Sequence, residues 1–401
     1  MSTPSGGGPL AGVRVIDLTS VIMGPYATHI LADMGADVIK VESPEGDSFR
    51  GYRPLRHEGM SGSFLNLHRN KRGIVLDLKR APAREALDLL IRGADVFVHN
   101  LRPRAAKKLR LDYETVRAQR EDIVYCGAYG FGADGPYGDK AAYDDLIQAG
   151  SGLAALYGSV HGEPQYCPTV ICDKIAGQTV ANAILGALFH RVRGGGGQAI
   201  EVPMFETAIE FMLVEHYGGG AFDPPLGRIG FQRLLSAQRR PYRTADGHAC
   251  ILPYSDQNWR DFFAFIGRDD LVQDARFRTL PERVQNIDVL YALVGEEASR
   301  RTTAQWVEFC DRVSIPCMPV MDLNDLHADP HVRAVGLFEQ AEHPSEGAYR
   351  PVRSPVRFSA TPYRLRSHAP RLGEHTREIL EELGLSEANI EAITGSHGGA
   401  C

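Results

Sequence analysis

Residues 12–47, GVRVIDLTSVIMGPYATHILADMGADVIKVESPEGD, leave this chain few folds to choose from. Val13 to Leu18 is an apolar run of the kind that forms a buried parallel strand. Gly24-Pro25 interrupts it, Tyr26 to Met34 carries a helical pattern, Gly35 supplies the stop, and Asp37 to Val41 forms a second short strand. Strand, helix and strand within about 30 residues make a βαβ unit, so the chain begins as a doubly wound α/β domain. The first turn, Thr19-Ser20-Val21-Ile22-Met23-Gly24-Pro25, lacks the G-x-G-x-x-G fingerprint. A single glycine does not bring the backbone as close to a pyrophosphate. The unit is therefore Rossmann-like but not built for NAD.

The alternation continues. Residues 69–79 read as a basic turn and a strand, 81–93 as a helix, and 94–100 as a strand ending at Asn100. Helices follow from Arg104 to Leu109 and from Tyr113, then a strand and glycine loop over 122–132. Ser20, Lys71, Asn100 and Tyr129 lie in loops beside these strands. Singly each reads as a turn former. Three of them follow strand ends, however, and in open α/β sheets ligands bind at the strands' carboxyl ends. Ile171 to His190 is a long helix whose alanines and glycines admit close packing of another backbone. Gly194–Gly197 is better read as a solvated turn before the strand and helix of 198–213 than as a mobile loop.

A Gly/Pro-rich linker over 214–235 then leads to a smaller α+β domain over 236–330. It opens with a hairpin, 240–254, turning at Asp246-Gly247, and continues with mostly helical residues 257–311 and a strand or strand entry over 318–326. Residues 331–401 form a second linker, with a strand over 336–343, and a C-terminal return to the large domain of residues 1–213. Its helices include REILEEL, stopped by Gly384, and a last one capped by Ser386.

Composition removes several function classes. A net charge of −6 argues against a nucleic-acid binder, and no apolar run reaches membrane-spanning length. The start, MSTPSGGGPL, has neither a basic nor an apolar signal region and reads as a short disordered leader. Seven scattered cysteines without a C-x-x-C pair fit reduced, cytoplasmic thiols rather than disulfides or zinc. Pro330 lies between His327 and His331 and breaks a common helical face, so a solvated loop is the better reading there than a metal site.

Two acidic spots could carry chemistry. Asp173, in TVICDKIAGQTV, starts a small-residue helix, and composition alone favours a helix cap over a covalent nucleophile. Tyr143-Asp144-Asp145 lies at a second loop-to-helix boundary, where capping is again the simpler reading. No G-x-S-x-G elbow and no P-loop occurs.

A run of blocks gives a stronger signal. PLAGVRVIDL with LADMGADVIKVE, NLHRNKRGIVLDLK, ADVFVHNLRP, IVYCGAYGFGADGPY, AAYDDLIQAGSGLA, GQAIEVPMFETAI and PYRTADGHACILPYSDQNW follow one another in order. With these blocks, from about Pro9 to about Ile393, the chain resembles the family III CoA-transferases, also called the CaiB/BaiF family. The resemblance implies an intertwined homodimer of Rossmann-like large domains and smaller domains. It also implies a coenzyme A thioester and a small carboxylic acid as substrates, with no permanently bound cofactor or metal.

Position by position, the resemblance makes Asp173 the nucleophile, which forms a mixed anhydride and then an aspartyl-CoA thioester. The helix-start dipoles would keep it ionised. Asp144 becomes a helper near the thioester. Coenzyme A contacts fall on the Val21 backbone, Lys71, Asn100, Lys108, Leu109 and Tyr143, with the two lysines pairing with phosphates. Three departures bear on this. Ser43 stands in place of an arginine after KVE, which puts one nucleotide contact in question. Ile22 replaces a glutamine of formyl-CoA transferase and points to a less polar or bulkier acid. Tyr143 replaces the histidine of the racemase branch. A phenol ordinarily titrates near 10 and is a poor acid/base partner at neutral pH, so CoA transfer is favoured over acyl-CoA racemisation; an aspartate at 173, where the family has its nucleophile, speaks against the other alternative, CoA binding without catalysis.

Overall fold

The first six strands are short and parallel, and all but the last, an edge strand, are buried along most of their length. In chain order the elements are β1 (Arg14–Leu18), α1 (Met23–Asp33), β2 (Asp37–Glu42), α2 (Gly62–His68), β3 (Lys71–Val75), α3 (Ala81–Arg92), β4 (Val96–His99), α4 (Pro103–Lys108), α5 (Tyr113–Arg117) and β5 (Val124–Tyr129). Next come α6 (Asp144–Gly150), α7 (Leu153–His161), α8 (Ile171–His190), β6 (Gln198–Pro203) and α9 (Met204–His216). The computed structural model describes residues 7–395 of the chain. The strand order β3-β2-β1-β4-β5-β6 is doubly wound, and its direction reverses between β1 and β4.

Helices cover both faces. On one, Leu87, Leu90 and Ile91 of α3 meet Ile16, Ile39, Ile74 and Phe97 of the strands. On the other, α8 lies against α1 and buries Ala176, Gly177, Val180, Ala181 and Ile184. Gly177 permits this packing: a Cβ there would stand 2.6 Å from the Met23 carbonyl oxygen. The small-residue pattern of 171–190 thus has its expected use.

Two compact units emerge. The first comprises residues up to Ser151, Cys167–Glu210, and the chain from His331 onward; the second comprises Gly152–Tyr166 and Phe211–Pro330. The second is built on an antiparallel sheet of β7 (Tyr242–Arg243), β8 (His248–Ile251) and β9 (Cys317–Pro319). Four helices, α10 (Asp256–Phe265), α11 (Leu280–Gln285), α12 (Ile287–Ala298) and α13 (Thr303–Val313), contribute to it, with Trp306, Phe262, Leu290 and Val294 in its core. Of the strand or strand entry expected over 318–326, the structure has the entry, β9; beyond Pro319 the chain leaves the sheet.

The returning chain forms α14 (Pro330–Ala334), the hairpin of β10 (Ala341–His343) and β11 (Gly347–Tyr349), then α15 (Thr376–Glu382) and α16 (Glu387–Thr394). It closes the β3 edge of the main sheet. His375 N–H donates to the Gly73 carbonyl at 3.0 Å, and Gly73 N–H and Val75 N–H donate to His375 Nδ1 and Thr376 Oγ1 at 3.2 and 3.1 Å. An edge with its groups paired offers no template for another strand. Ser386 caps α16 through Asn389 N–H, as the sequence indicates.

The leader expectation needs correction. Residues 1–6 lie outside the described residues, but Leu10 N–H donates to the Met34 carbonyl at 2.9 Å, so the start of the chain is tied to α1 from there. α2 and α7 were not anticipated either, because both are short and lack a periodic apolar stripe. Among the described residues, no helix is long and apolar enough to cross a membrane.

The close approach of α1 and α8 yields a direct test. Gly177→Ala is expected to destabilise the protein by about 1–3 kcal/mol in urea unfolding, since the added methyl has backbone to displace. Unchanged stability would mean that α8 can back away freely.

Candidate active site

The reversal between β1 and β4 puts two loops side by side, and Asn100 joins them. Its Oδ1 accepts Ser20 N–H at 3.1 Å and its Nδ2 donates to the Ser20 carbonyl at 2.9 Å. His99, the residue before Asn100, ties down the chain on its other side. Leu101 N–H donates to His99 Nδ1 at 3.1 Å, which assigns the proton to Nε2; that nitrogen lies 2.6 Å from the Tyr125 hydroxyl, which donates to the Leu111 carbonyl. Burial lowers the His99 pKa to about 4, so the imidazole stays neutral in this relay.

Val21 sits in the left-handed region at φ 71°, unusual for a β-branched residue. Its N–H points at both Asp47 oxygens, 3.2 and 3.3 Å away. Asp47 also accepts from the buried Lys40 ammonium at 2.9 Å, and Lys40 donates to the Thr19 carbonyl at 2.9 Å. The turn after β1 is thus shaped by a buried ion pair rather than by glycines.

Lys71 is the clear correction among the expected contacts. It is 0% exposed, with its ammonium 2.7 Å from Thr28 Oγ1, 3.0 Å from the Pro25 carbonyl and 3.3 Å from both Asp17 Oδ2 and His68 Nδ1. No face remains for a phosphate. Burial pulls its pKa down to about 8 against the pull of Asp17. Asp17, also fully buried, is pushed up by burial but held below its ordinary value by Lys71, Lys40, Thr19 and Thr28. Lys71 supports the β1 turn and the start of α1 from inside.

Lys108, the last residue of α4, is exposed, and Leu109 follows as the C-cap with its carbonyl held by Arg84.

The acidic pair lies where α6 meets α8. Asp173 is the third residue of α8, whose N-cap is Val170, so it is not the cap. The cap comes from across the fold: Asp144 Oδ1 accepts Asp173 N–H at 3.0 Å. Asp144 is itself only 5% exposed, and its Oδ2 accepts from Gln148 Nε2 at 2.6 Å. Each of its oxygens accepts one hydrogen bond, so it holds the Asp173 backbone from α6. Tyr143, the residue before α6, is 73% exposed.

α8 brings this pair to the β1 turn. Asp173 is one helical turn before Gly177, which touches Met23, two residues past Val21. Asp144 and Asp173 are joined directly by a hydrogen bond, and Asn100 is bonded to Ser20, the neighbour of Val21, in the β1 turn. The electrostatics differ from the expectation of a carboxylate kept ionised by helix dipoles. Burial and the neighbouring Asp144 raise the Asp173 pKa to about 7. Gln148 and Asp47 were not picked out in the sequence. An amide four residues after Asp144 was the available signal for the first, and an Asp two residues before the aromatic Phe49 carries none for the second.

Two outcomes follow. Asp47→Ala leaves Lys40 buried without its carboxylate, so a loss of about 3–5 kcal/mol in urea unfolding is expected; a loss below about 1 kcal/mol would show another partner for Lys40. For Asp173 the sign is set by its raised pKa. Between about 4 and 7 the native state keeps a proton that the unfolded chain has released, so its contribution to stability falls as pH rises and the penalty is complete above 7. Asp173→Asn should be more stable than wild type at about pH 8, on the order of 2 kcal/mol, and equal to it near pH 4. A pH-independent difference in melting temperature would contradict the raised pKa.

Comparison with known proteins agrees with this architecture. CoA-transferase family III matches residues 10–376. Succinate–glutarate CoA-transferase of Agrobacterium fabrum is 32% identical over 94% of this chain and 96% of its own length. Formyl-CoA:oxalate CoA-transferase of Escherichia coli O157:H7 is 29% identical over 97% and 99%. The crystal structure of a CaiB/BaiF family protein from Brucella suis superposes with a TM-score of 0.79 at 31% identity, covering 94% of this chain and 99% of that one. The match along nearly the whole chain, on a fold of the same kind, makes this protein a member of CoA-transferase family III and an enzyme of coenzyme A transfer.

Proposed function

We propose that this enzyme exchanges coenzyme A between two carboxylic acids with Asp173 as covalent nucleophile, and that the acids are dicarboxylates of succinate or glutarate size. The observation that carries the reading is the Asp173 carboxyl itself: half-buried, in the first turn of α8, with its backbone fixed by Asp144 and its pKa near 7. Such a group is ionised in a useful fraction at neutral pH and is less stabilised by water than a surface carboxylate, which favours attack. The acid class is suggested by the succinate–glutarate relative and by the apolar Ile22 in the first turn.

In the proposed sequence an Asp173 oxygen adds to the thioester carbonyl and the C–S bond breaks, giving a mixed anhydride and CoA thiolate. The thiolate attacks the Asp173 acyl carbon and releases the donor acid. The acceptor carboxylate then displaces the thiolate from the aspartyl thioester. Finally the thiolate attacks the acceptor acyl carbon, which frees the new thioester and restores Asp173. No net proton is consumed. Val21, Asn100, Lys108, Leu109 and Tyr143 would line the coenzyme, with the exposed Lys108 toward a phosphate; Lys71 is assigned to support of the turn instead.

The proposal also keeps the large CoA-binding domain, its smaller partner domain and an intertwined homodimer. Large apolar side chains stand exposed on the first unit at Phe189 and Val192 and on the second at Phe211, Val214, Leu226 and Ile229, which is more than single scattered residues and fits coverage by a second chain. A reducing cytoplasm suits the six free cysteines described.

The test is chemical trapping. After brief incubation with succinyl-CoA, hydroxylamine or borohydride should leave a modification on the Asp173 peptide. Asp173→Ala should lose the label and at least about 10³-fold in transfer rate. Thioester α-proton exchange into deuterated solvent without an Asp173 adduct would replace transfer with racemisation.

A further inference from the structure

Gln148 is fully buried, and all of its partners belong to the proposed catalytic corner. From α6 its Nε2 donates to Asp144 Oδ2 at 2.6 Å and lies 3.3 and 3.5 Å from the Thr169 and Cys167 carbonyl oxygens. Its Oε1 accepts Cys167 N–H at 2.8 Å. One amide therefore grips the Asp144 carboxylate with one end and the segment leading into α8 with both. Asp144 in turn holds Asp173 N–H at 3.0 Å through its other oxygen. The chain is closed: α6, the lead-in Cys167–Thr169 and the first turn of α8 are locked around a single side chain.

The chemistry of the position is demanding. A glutamate could accept from Cys167 but, when ionised, has no hydrogen to give Asp144 or the two carbonyls. A methionine of similar length satisfies neither end. Only a side-chain amide offers a donor and an acceptor in this arrangement at all pH values. A buried carboxylate that has lost one of two donors rotates or takes up a proton, and either change moves the group that caps α8.

We propose that Gln148 is a positioning residue of the transfer reaction: through Asp144 and the Cys167–Thr169 segment it fixes where α8 presents the Asp173 carboxyl. The proposal rests on the reading of Asp173 as nucleophile. It goes beyond that reading by assigning the alignment of the nucleophile to a residue with no route to the substrate of its own. The ionisable groups that interact with Asp173 are Asp144 from α6 and Cys172 on α8 itself; Cys167 of the lead-in acts on Cys172, and the ammonium of the adjacent Lys174 is held by Thr169 Oγ1 at 2.5 Å.

The test compares Gln148→Glu, Gln148→Met, Asp144→Asn and the reversed pair Asp144→Asn/Gln148→Glu in the full-length enzyme. Single-turnover formation of the Asp173 adduct from succinyl-CoA, the pH midpoint of that rate, equilibrium binding of free coenzyme A and the melting temperature are read for each. Both Gln148 variants should slow adduct formation on the order of 10–100-fold with coenzyme A affinity within about threefold of wild type. Gln148→Glu should also move the midpoint upward from near 7, because a second carboxyl now crowds the corner. In the reversed pair the amide introduced at position 144 donates to the carboxylate introduced at position 148, and adduct formation should recover about tenfold over Gln148→Glu alone.

Gln148 single variants with wild-type rates and midpoints would overturn the positioning role while leaving the Asp173 reading intact. Failure of wild-type enzyme to form any Asp173 adduct, with Asp173→Asn still active, would instead remove the nucleophile reading. If the Gln148 single variants do not fold, the reversed pair decides: a folded pair with an unimpaired rate supports the exchange of donor and acceptor, and a folded pair as slow as Asp144→Asn alone sinks it.

Discussion

Two buried lysine–carboxylate pairs lie beneath the turn that leaves the first strand, and the candidate site depends on them. Lys40 with Asp47 and Lys71 with Asp17 are almost or completely removed from solvent. Isolated charges at such depth are costly, and the pairs persist because backbone carbonyls, hydroxyls and N–H groups complete their coordination. The arrangement replaces the glycines of a dinucleotide turn with a rigid polar foundation. Val21 can then hold a left-handed backbone that a β-branched residue otherwise avoids. In exchange, the lysines are unavailable to a ligand.

A second constraint joins the halves of the site. The α1 and α8 backbones approach closely enough at Gly177 that no side chain fits between them. Because α8 also carries Asp173, the position of the carboxyl relative to the β1 turn follows from helix packing rather than from loops. Rigid elements hold functional groups more tightly than loops do. Asp144 adds the remaining restraint by capping α8 from another helix, and its charge, with burial, leaves Asp173 poised near neutrality.

Much of the fold was legible because its signals are local. Apolar runs bounded by glycine and proline mark β1 to β5, and the bounds of the helix Ile171–His190 could be read directly from its small-residue pattern. Capping by Ser386 is a three-residue signal and was equally visible. Short helices such as α2, with one or two turns and no apolar stripe, left no periodic trace. The strand read beyond Pro319 shows the converse case, in which an apolar stretch finds no partner edge and stays outside the sheet.

The sequence by itself determined the βαβ order, the family resemblance and the placement of Asp173 at a helix start, since each depends on residues within a few positions of one another. Tertiary structure alone decided what the ionisable groups do. Lys71 looked like a phosphate ligand until the fold enclosed it with Asp17, 54 residues away. Asp144, which the resemblance makes a helper near the thioester, is bonded by the fold to the backbone 29 residues on, with Gln148 behind it. Burial and hydrogen-bond pairing set the charge and reach of a side chain, and both are properties of what surrounds it in space rather than along the chain.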